Sequence, residues 1–245
     1  MEPRRSVHGL LTIFKSKRFD MRRIIVFIII LCCFSISEGR AQQLKALRDS
    51  LAMATEKLSY YPDSIDLRLK KAHWNIELKQ WRYAKDEYDA ILQRNPTNVA
   101  ALYYRAFVNE KLSRYHFARL DYEHMLTLVP GNFEGQLGLA LLNQKDKRYT
   151  EAFDQINHLV SQFPENPVAY AARAGIEFER NMFDLAEFDF SEALRLDPKN
   201  KDYLLNRADV RIKLKKFLSA KEDLDLLMKL GESKAALWDY YKQIR

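Results

Sequence analysis

The chain has 245 residues, and its 40 Lys and Arg against 33 Asp and Glu give a formal net charge of +7. Residues 1–41 hold eight of the basic and three of the acidic residues, so the remainder carries only +2. A nearly balanced charge excludes the basic footprint by which proteins bind nucleic acid. Both cysteines, Cys32 and Cys33, lie in residues 1–41, so the rest of the chain has no disulfide framework.

Residues 1–41 are predicted to be a signal peptide. The basic "MRR" at 21–23 is followed by an apolar run of 14 residues, "IIVFIIILCCFSIS" at 24–37. A membrane-spanning helix needs about 20 residues, whereas this length suits a secretory signal. Small residues at Gly39 and Ala41 place the predicted cleavage after Ala41.

The leader allows alternatives. If it is not cleaved, it would anchor the protein and form its only membrane contact. Translation could start at Met1 or at Met21. A lipid anchor is disfavoured, because the bacterial lipidation pattern has a small residue directly before the cysteine, whereas Leu31 precedes Cys32. We expect an exported protein of a cell envelope, most simply the bacterial periplasm.

A period of 34 residues runs through the rest of the chain. Five prolines share this spacing: Pro62, Pro96, Pro130, Pro164 and Pro198. Such a period is typical of stacked-repeat proteins. It divides the chain into five units: 65–98, 99–132, 133–166, 167–200 and 201–234. Before them, residues 42–64 are predicted to hold the helix of an N-terminal partial repeat, because Leu44, Leu47, Leu51, Ala54 and Leu58 have helical spacing.

Alanine occupies two fixed positions in every unit. They are Ala72, Ala106, Ala140, Ala174 and Ala208, and Ala84, Ala118, Ala152, Ala186 and Ala220. Apolar spacing within each unit predicts two helices. Helices approach to about 8–10 Å only where the side chains at the crossing are short, which explains the alanines.

A proline and an asparagine separate each unit from the next. Pro96 is predicted to end the helix that carries Leu92, because proline lacks an N–H and disfavours helical dihedral angles in the preceding residue. Asn98 is predicted to cap the next helix with its side-chain oxygen. The pair returns in "VPGN" (129–132), "FPEN" (163–166) and "DPKN" (197–200).

With these positions the chain resembles the tetratricopeptide repeats, helix-turn-helix units that stack into a superhelix. The resemblance covers residues 65–234 and implies an all-α fold, a superhelical solenoid of five tetratricopeptide repeats. The departures are Glu232 where the family has proline, and Ile91, Met125, Leu159 and Leu227 where it prefers alanine. Residues 235–245 are predicted to be a C-terminal capping helix.

A charged pair recurs between the two helices of a unit. Its members are Lys71 and Glu87, Arg105 and Asp121, Arg173 and Asp189, and Arg207 and Asp223. The remaining unit has Leu139 and Gln155, with neither charge. Because the charges occur together or not at all, they indicate an ion pair between helices rather than a basic row for a ligand. An exposed pair would contribute about 0–1 kcal/mol.

The sequence gives no indication of catalysis. His116 and His124 lie about 12 Å apart along a helix, too far to share a metal ion. No glycine-rich phosphate loop and no nucleophile-elbow serine occurs in residues 42–245. We therefore expect no enzyme activity, no cofactor and no metal site.

The resemblance implies a protein or peptide partner that binds the first helices of the units on a concave surface. In the middle three units these helices are apolar on almost every side, as in "AALYYRAFV" (100–108). A helix of this kind is normally covered all round, so one uncovered stripe is predicted to bind the partner. A chaperone-binding version of the family uses Lys, Asn and Arg there, but the matching positions here are mostly apolar.

The predicted groove consists of Tyr103, Phe107, Lys111, Leu137, Gly138, Leu141, Lys145, Ala171, Gly175 and Phe178. The glycines are expected to leave room for a ligand side chain, and the lysines to orient the partner at the rim. Two alternatives stay open. The curvature of the stack or the terminal helices could close the groove, and the protein could be a permanent structural accessory subunit of an envelope complex with no exchangeable ligand.

Overall fold

The computed structural model describes residues 41–244. They contain helices and no strand, and they belong to two compact units, one up to Gln80 and one from Trp81. The predicted signal peptide lies outside these residues except for Ala41. Within the described part, no helix is both long and apolar enough to cross a membrane, and no three His, Cys, Asp or Glu side chains lie close enough to hold a metal ion.

The first unit contains two described helices. Residues 41–60 form α1, and Ile65–Glu77 form α2. Ala54 and Leu58 of the predicted apolar stripe are buried. Ser64 caps α2, because its hydroxyl accepts a hydrogen bond of 3.3 Å from the backbone N–H of Leu67.

The second unit contains the remaining helices of the described chain. They are α3 (Trp81–Arg94), α4 (Val99–Lys111), α5 (Tyr115–Leu128), α6 (Phe133–Lys145), α7 (Tyr149–Gln162), α8 (Pro167–Glu179), α9 (Phe183–Leu196), α10 (Lys201–Lys213), α11 (Phe217–Lys229) and α12 (Trp238–Gln243). We call α4, α6, α8 and α10 the first helices, and α5, α7, α9 and α11 the second helices. The starts of the first helices are 34 residues apart, as the period predicts.

Each first helix packs between two neighbours, the second helix that follows it and the helix that precedes it. In addition, α4 contacts α6, and α6 contacts α8. The repeated alanines of this unit are all fully buried: Ala84, Ala106, Ala118, Ala140, Ala152, Ala174, Ala186, Ala208 and Ala220. Their burial confirms that small side chains occupy the helix crossings.

Asparagine caps all four first helices, as predicted. Each side-chain oxygen accepts from a backbone N–H: Asn98 from Ala101 (2.9 Å), Asn132 from Gly135 (2.7 Å), Asn166 from Val168 (2.9 Å) and Asn200 from Tyr203 (3.2 Å). The preceding helix ends before each proline, as α3 does at Arg94, two residues before Pro96. Proline and asparagine thus stop one helix and start the next.

In each of the last four repeats, the turn between the first and second helix holds one residue in the left-handed region. These residues are Ser113 (φ 57°), Lys147 (φ 61°), Asn181 (φ 59°) and Lys215 (φ 59°). Because tight turns make consecutive helices antiparallel, all four turns lie at one end of the second unit and the asparagine caps at the other. We call this end the intra-repeat edge: residues 111–116, 145–150, 179–184 and 213–218.

Candidate functional site

The apolar side chains of the predicted groove lie on three first helices and are all half-buried. They are Tyr103 and Phe107 on α4, Leu137 and Leu141 on α6, and Ala171 and Phe178 on α8. The contacts of α6 with α4 and α8 bring the three helices side by side. Five of the six also pack against buried core residues. Each side chain therefore presents only part of its surface to a partner.

The two predicted rim lysines both have contacts within the chain. The ammonium group of Lys111 lies 5.0 Å from the ring centroid of Phe107, which in turn meets Trp81 edge-on with centroids 6.2 Å apart. Lys145 forms an ion pair with Glu110 and so joins α6 to α4. Both lysines are exposed, but a partner would compete with these contacts.

Gly138 does not leave room for a ligand, and this expectation was wrong. A Cβ atom at Gly138 would lie 2.6 Å from Cζ of Tyr122, whose buried ring comes from α5. The glycine makes room for the protein's own tyrosine. Gly175 is different, because a Cβ atom there meets no other atom within 4 Å. The room for a ligand side chain stays a prediction at Gly175.

The more exposed large apolar side chains lie outside the predicted groove. Phe117 and Leu120 on α5 are 56% and 48% exposed, and Leu185 and Phe188 on α9 are 50% and 60% exposed. Between them, α7 carries acidic residues at both matching positions. The overall apolar pattern did not predict these pairs, but the repeats differ at the two positions, where α5 and α9 have apolar residues and α7 has acidic ones.

The predicted ion pairs join the two helices in three repeats of the second unit. The Nε and Nη2 distances to the carboxylate are 3.0 and 2.6 Å for Arg105 and Asp121, 2.5 and 2.8 Å for Arg173 and Asp189, and 3.1 and 2.7 Å for Arg207 and Asp223. All three aspartates are buried. The small contribution expected for an exposed pair therefore does not apply, since loss of one partner would leave a buried charge.

These arginines also reach the preceding helix pair. Their Nη1 groups donate to a residue 16 positions earlier: Arg105 to Asp89 (2.8 Å), Arg173 to Asn157 (3.2 Å) and Arg207 to Ser191 (3.1 Å). Tyr241 lies 34 residues after Arg207 and continues the pattern, because its hydroxyl donates to Asp225 at 2.6 Å. The arginine row therefore links helices within and between repeats.

A second column of polar residues lies one turn further along the first helices. Three of them donate to the side chain opposite: Asn109 to Asp121 (3.2 Å), Asn143 to Gln155 (2.8 Å) and Arg211 to Asp223 (2.8 Å). The fourth, Glu177, faces Asp189. Burial and the charge of Asp189 raise the pKa of Glu177 to about 8, against the opposing effect of Arg173. Glu177 therefore holds its proton to a higher pH than an exposed glutamate does.

Replacing Glu177 with asparagine is expected to stabilise the protein, by more as the pH rises. The pKa of Glu177 is about 8 in the folded chain, against an ordinary 4.5, so the unfolded chain loses this proton first. Wild-type stability therefore falls as the pH rises between these values. An asparagine could donate to Asp189, as Asn109 does to Asp121, without titrating.

Urea denaturation at about pH 6 and about pH 9 measures this difference. We expect Glu177→Asn to raise the free energy of unfolding by about 1–2 kcal/mol, and by more at the higher pH. Glu165→Asn removes an exposed carboxylate of the same type and serves as the control. A gain that is the same at both pH values, or a loss of stability, would contradict the assignment of the proton to Glu177.

Solved structures of tetratricopeptide-repeat proteins match this fold. A tetratricopeptide repeat protein from Parabacteroides merdae matches with a TM-score of 0.68 at 22% identity, over 83% of this chain and 79% of that chain. PilF of Pseudomonas aeruginosa matches with a TM-score of 0.60 at 17% identity, over 74% and 86%. YrrB, a TPR protein with an unusual peptide-binding site, matches with a TM-score of 0.52 at 17% identity, over 77% and 97%. The predicted tetratricopeptide-repeat fold is thereby confirmed.

No protein-family profile matches the sequence, and no curated protein does. At these identities the structural matches establish the fold alone.

Proposed function

We propose that this tetratricopeptide-repeat protein is an exported scaffold that binds a protein or peptide partner through the predicted groove. The observation that carries the proposal is the row of half-buried apolar side chains on three adjoining first helices. A helical or extended peptide completes the burial of such a row when it inserts apolar anchors. The peptide-binding site of YrrB, which shares the fold, supports a peptide as the partner.

The compartment we propose is a bacterial cell envelope, most simply the periplasm. Support comes from the order of basic, apolar and small residues in the leader, 1–41. An exported scaffold would meet partners that are themselves exported or membrane-bound. If the leader is retained, it would hold the scaffold at the membrane surface.

Charged substitutions in the groove are expected to abolish partner binding. Phe107→Asp and Leu141→Asp each place a carboxylate where the partner would bury an apolar anchor, an unfavourable exchange. Affinity capture from the envelope fraction with mass spectrometry identifies the partner. Calorimetric titration of the purified pair then measures each variant, and we expect a loss of at least about tenfold.

Phe117→Asp, at an exposed position on α5, is the matched control. Circular dichroism and thermal melting establish that each variant is folded. If folded Phe107→Asp and Leu141→Asp bind as tightly as the wild type, the partner does not use the groove and the proposal is lost.

A different observation favours a second candidate, a permanent accessory subunit of an envelope complex. The exposed pairs Phe117 and Leu120, and Leu185 and Phe188, give α5 and α9 apolar surface of the kind that stable assemblies cover. This candidate predicts co-purification of a fixed complex from the native envelope. It also predicts that Phe188→Asp releases the protein from that complex, whereas Phe107→Asp does not.

A further inference from the structure

Positive charge collects on the intra-repeat edge. Its four turns contain nine Lys and Arg against three Asp and Glu, although residues 42–245 together are nearly neutral. Six of these cations have no carboxylate partner among the described residues: Lys111, Arg114, Lys147, Arg180, Lys213 and Lys215. The three carboxylates are engaged, since Asp146 pairs with Arg119, Asp184 lies 3.7 Å from Lys216, and Glu179 accepts from Gln144. The total charge of the chain conceals this local excess.

A polar cleft of about 500 Å³ opens on this edge between the third and fourth repeats. Lys145, Lys147, Arg180 and Glu179 line it, and because Lys145 is already paired with Glu110, the excess positive charge comes from Lys147 and Arg180. The guanidinium carbon of Arg180 lies 4.1 Å from the ring centroid of Tyr149, a cation–π contact that orients the arginine. The cleft therefore favours an anionic group.

Gln144, which also lines the cleft, points to the nature of the ligand. Its side chain is buried, with only 8% of the residue exposed, and its Nε2 donates to Glu179 at 2.9 Å. Its Oε1 is buried and has no hydrogen-bond partner. Such an acceptor is unfavourable until a donor reaches it. The hydrogen bond to Glu179 fixes the amide, so the missing donor has to come from a group that enters beside Gln144.

A peptide supplies both groups that this cleft lacks. An Asp or Glu side chain offers the anion, and the main chain offers N–H donors for Gln144. The phosphodiester of phosphatidylglycerol offers an anion but no N–H donor, and a planar bilayer fits a concave cleft poorly. The chemistry therefore favours an acidic peptide over an anionic membrane surface.

We propose that the cleft binds an Asp or Glu side chain of the peptide that occupies the groove, with its carboxylate between Lys147 and Arg180. The inference rests on the proposed function. Lys145 lies one helical turn after Leu141 on α6, so the cleft adjoins the end of the groove. The partner would accordingly combine apolar anchors with an acidic residue beside them.

Fluorescence anisotropy of a labelled hexaglutamate peptide tests the cleft on the full chain at low ionic strength. We expect Lys147→Glu and Arg180→Glu each to weaken binding about tenfold, because each replaces a charge-assisted contact with repulsion. Lys199→Glu changes the net charge equally at the opposite end and should alter affinity less than about twofold. Gln144→Met keeps the bulk but removes the acceptor, so it should weaken binding several-fold.

Three outcomes would overturn the proposal. In the first, hexaglutamate binds no more tightly than a hexaglutamine control. In the second, Lys199→Glu weakens binding as much as the cleft variants do. In the third, the protein sediments with phosphatidylglycerol vesicles but does not bind hexaglutamate. Hexaglutamate has no apolar anchor, so it reports on the cleft alone. Partner binding by the groove variants is a separate measurement, and the two proposals can therefore fail independently.

Discussion

Arg173→Met is expected to lower the free energy of unfolding by about 3–5 kcal/mol. The substitution removes two hydrogen bonds, of 2.5 and 2.8 Å, from the carboxylate of Asp189. That carboxylate is only 2% exposed, so water cannot replace the lost partner. Glu177, which faces Asp189, brings no positive charge to replace the arginine. Urea denaturation at neutral pH measures the loss.

Two further variants separate burial from charge. Arg195→Met removes an exposed ion pair and should cost no more than about 1 kcal/mol. The double variant Arg173→Leu with Asp189→Gln reproduces the pair Leu139 and Gln155 of the third repeat. It should regain most of the stability, because it leaves no buried charge behind. Equal costs for Arg173→Met and Arg195→Met would show that the buried pair has no special role.

The pairing of Arg173 with Asp189 could be predicted because the repeats serve as variants of one another within a single chain. In four repeats charge at one position is matched by charge at the other, and in the third repeat both positions are uncharged. Burial could not be predicted in this way, because it depends on the neighbouring repeat. Nη1 of Arg173 bonds to Asn157, a contact between repeats that the sequence did not indicate.

The fold followed from the sequence because each repeat packs mainly against its neighbours. Three features depend only on interactions that span about one repeat. They are the prolines that end helices, such as Pro96, the asparagines that cap them, such as Asn98, and the alanines at helix crossings, such as Ala118. The candidate site depends on side-chain volumes and charges from several helices. Tyr122 beneath Gly138, and the cations around Arg180, became visible only when those helices were placed together.

Gly138→Ala is expected to destabilise the protein by roughly 1–3 kcal/mol, although alanine favours a helix over glycine by about 1 kcal/mol. The new methyl group would lie 2.6 Å from Cζ of Tyr122. That ring is 3% exposed and meets Tyr103 edge-on at 6.0 Å, so it has little freedom to move away. Gly175→Ala meets no atom within 4 Å inside α8 and should instead stabilise by up to about 1 kcal/mol.

A double-mutant cycle with Tyr122→Leu tests whether the clash is the cause. In that background Gly138→Ala should lose its cost, with a coupling of about 0.5–3 kcal/mol, because the smaller side chain leaves space for the methyl group. If Gly138→Ala instead keeps wild-type stability and weakens partner binding, the ligand occupies the space next to Gly138. If Gly138→Ala lowers stability and Tyr122→Leu cancels that loss, the Tyr122 ring of the protein's own core occupies the space. The open part of the groove then lies over Gly175, where the added methyl group would weaken binding and leave the fold intact.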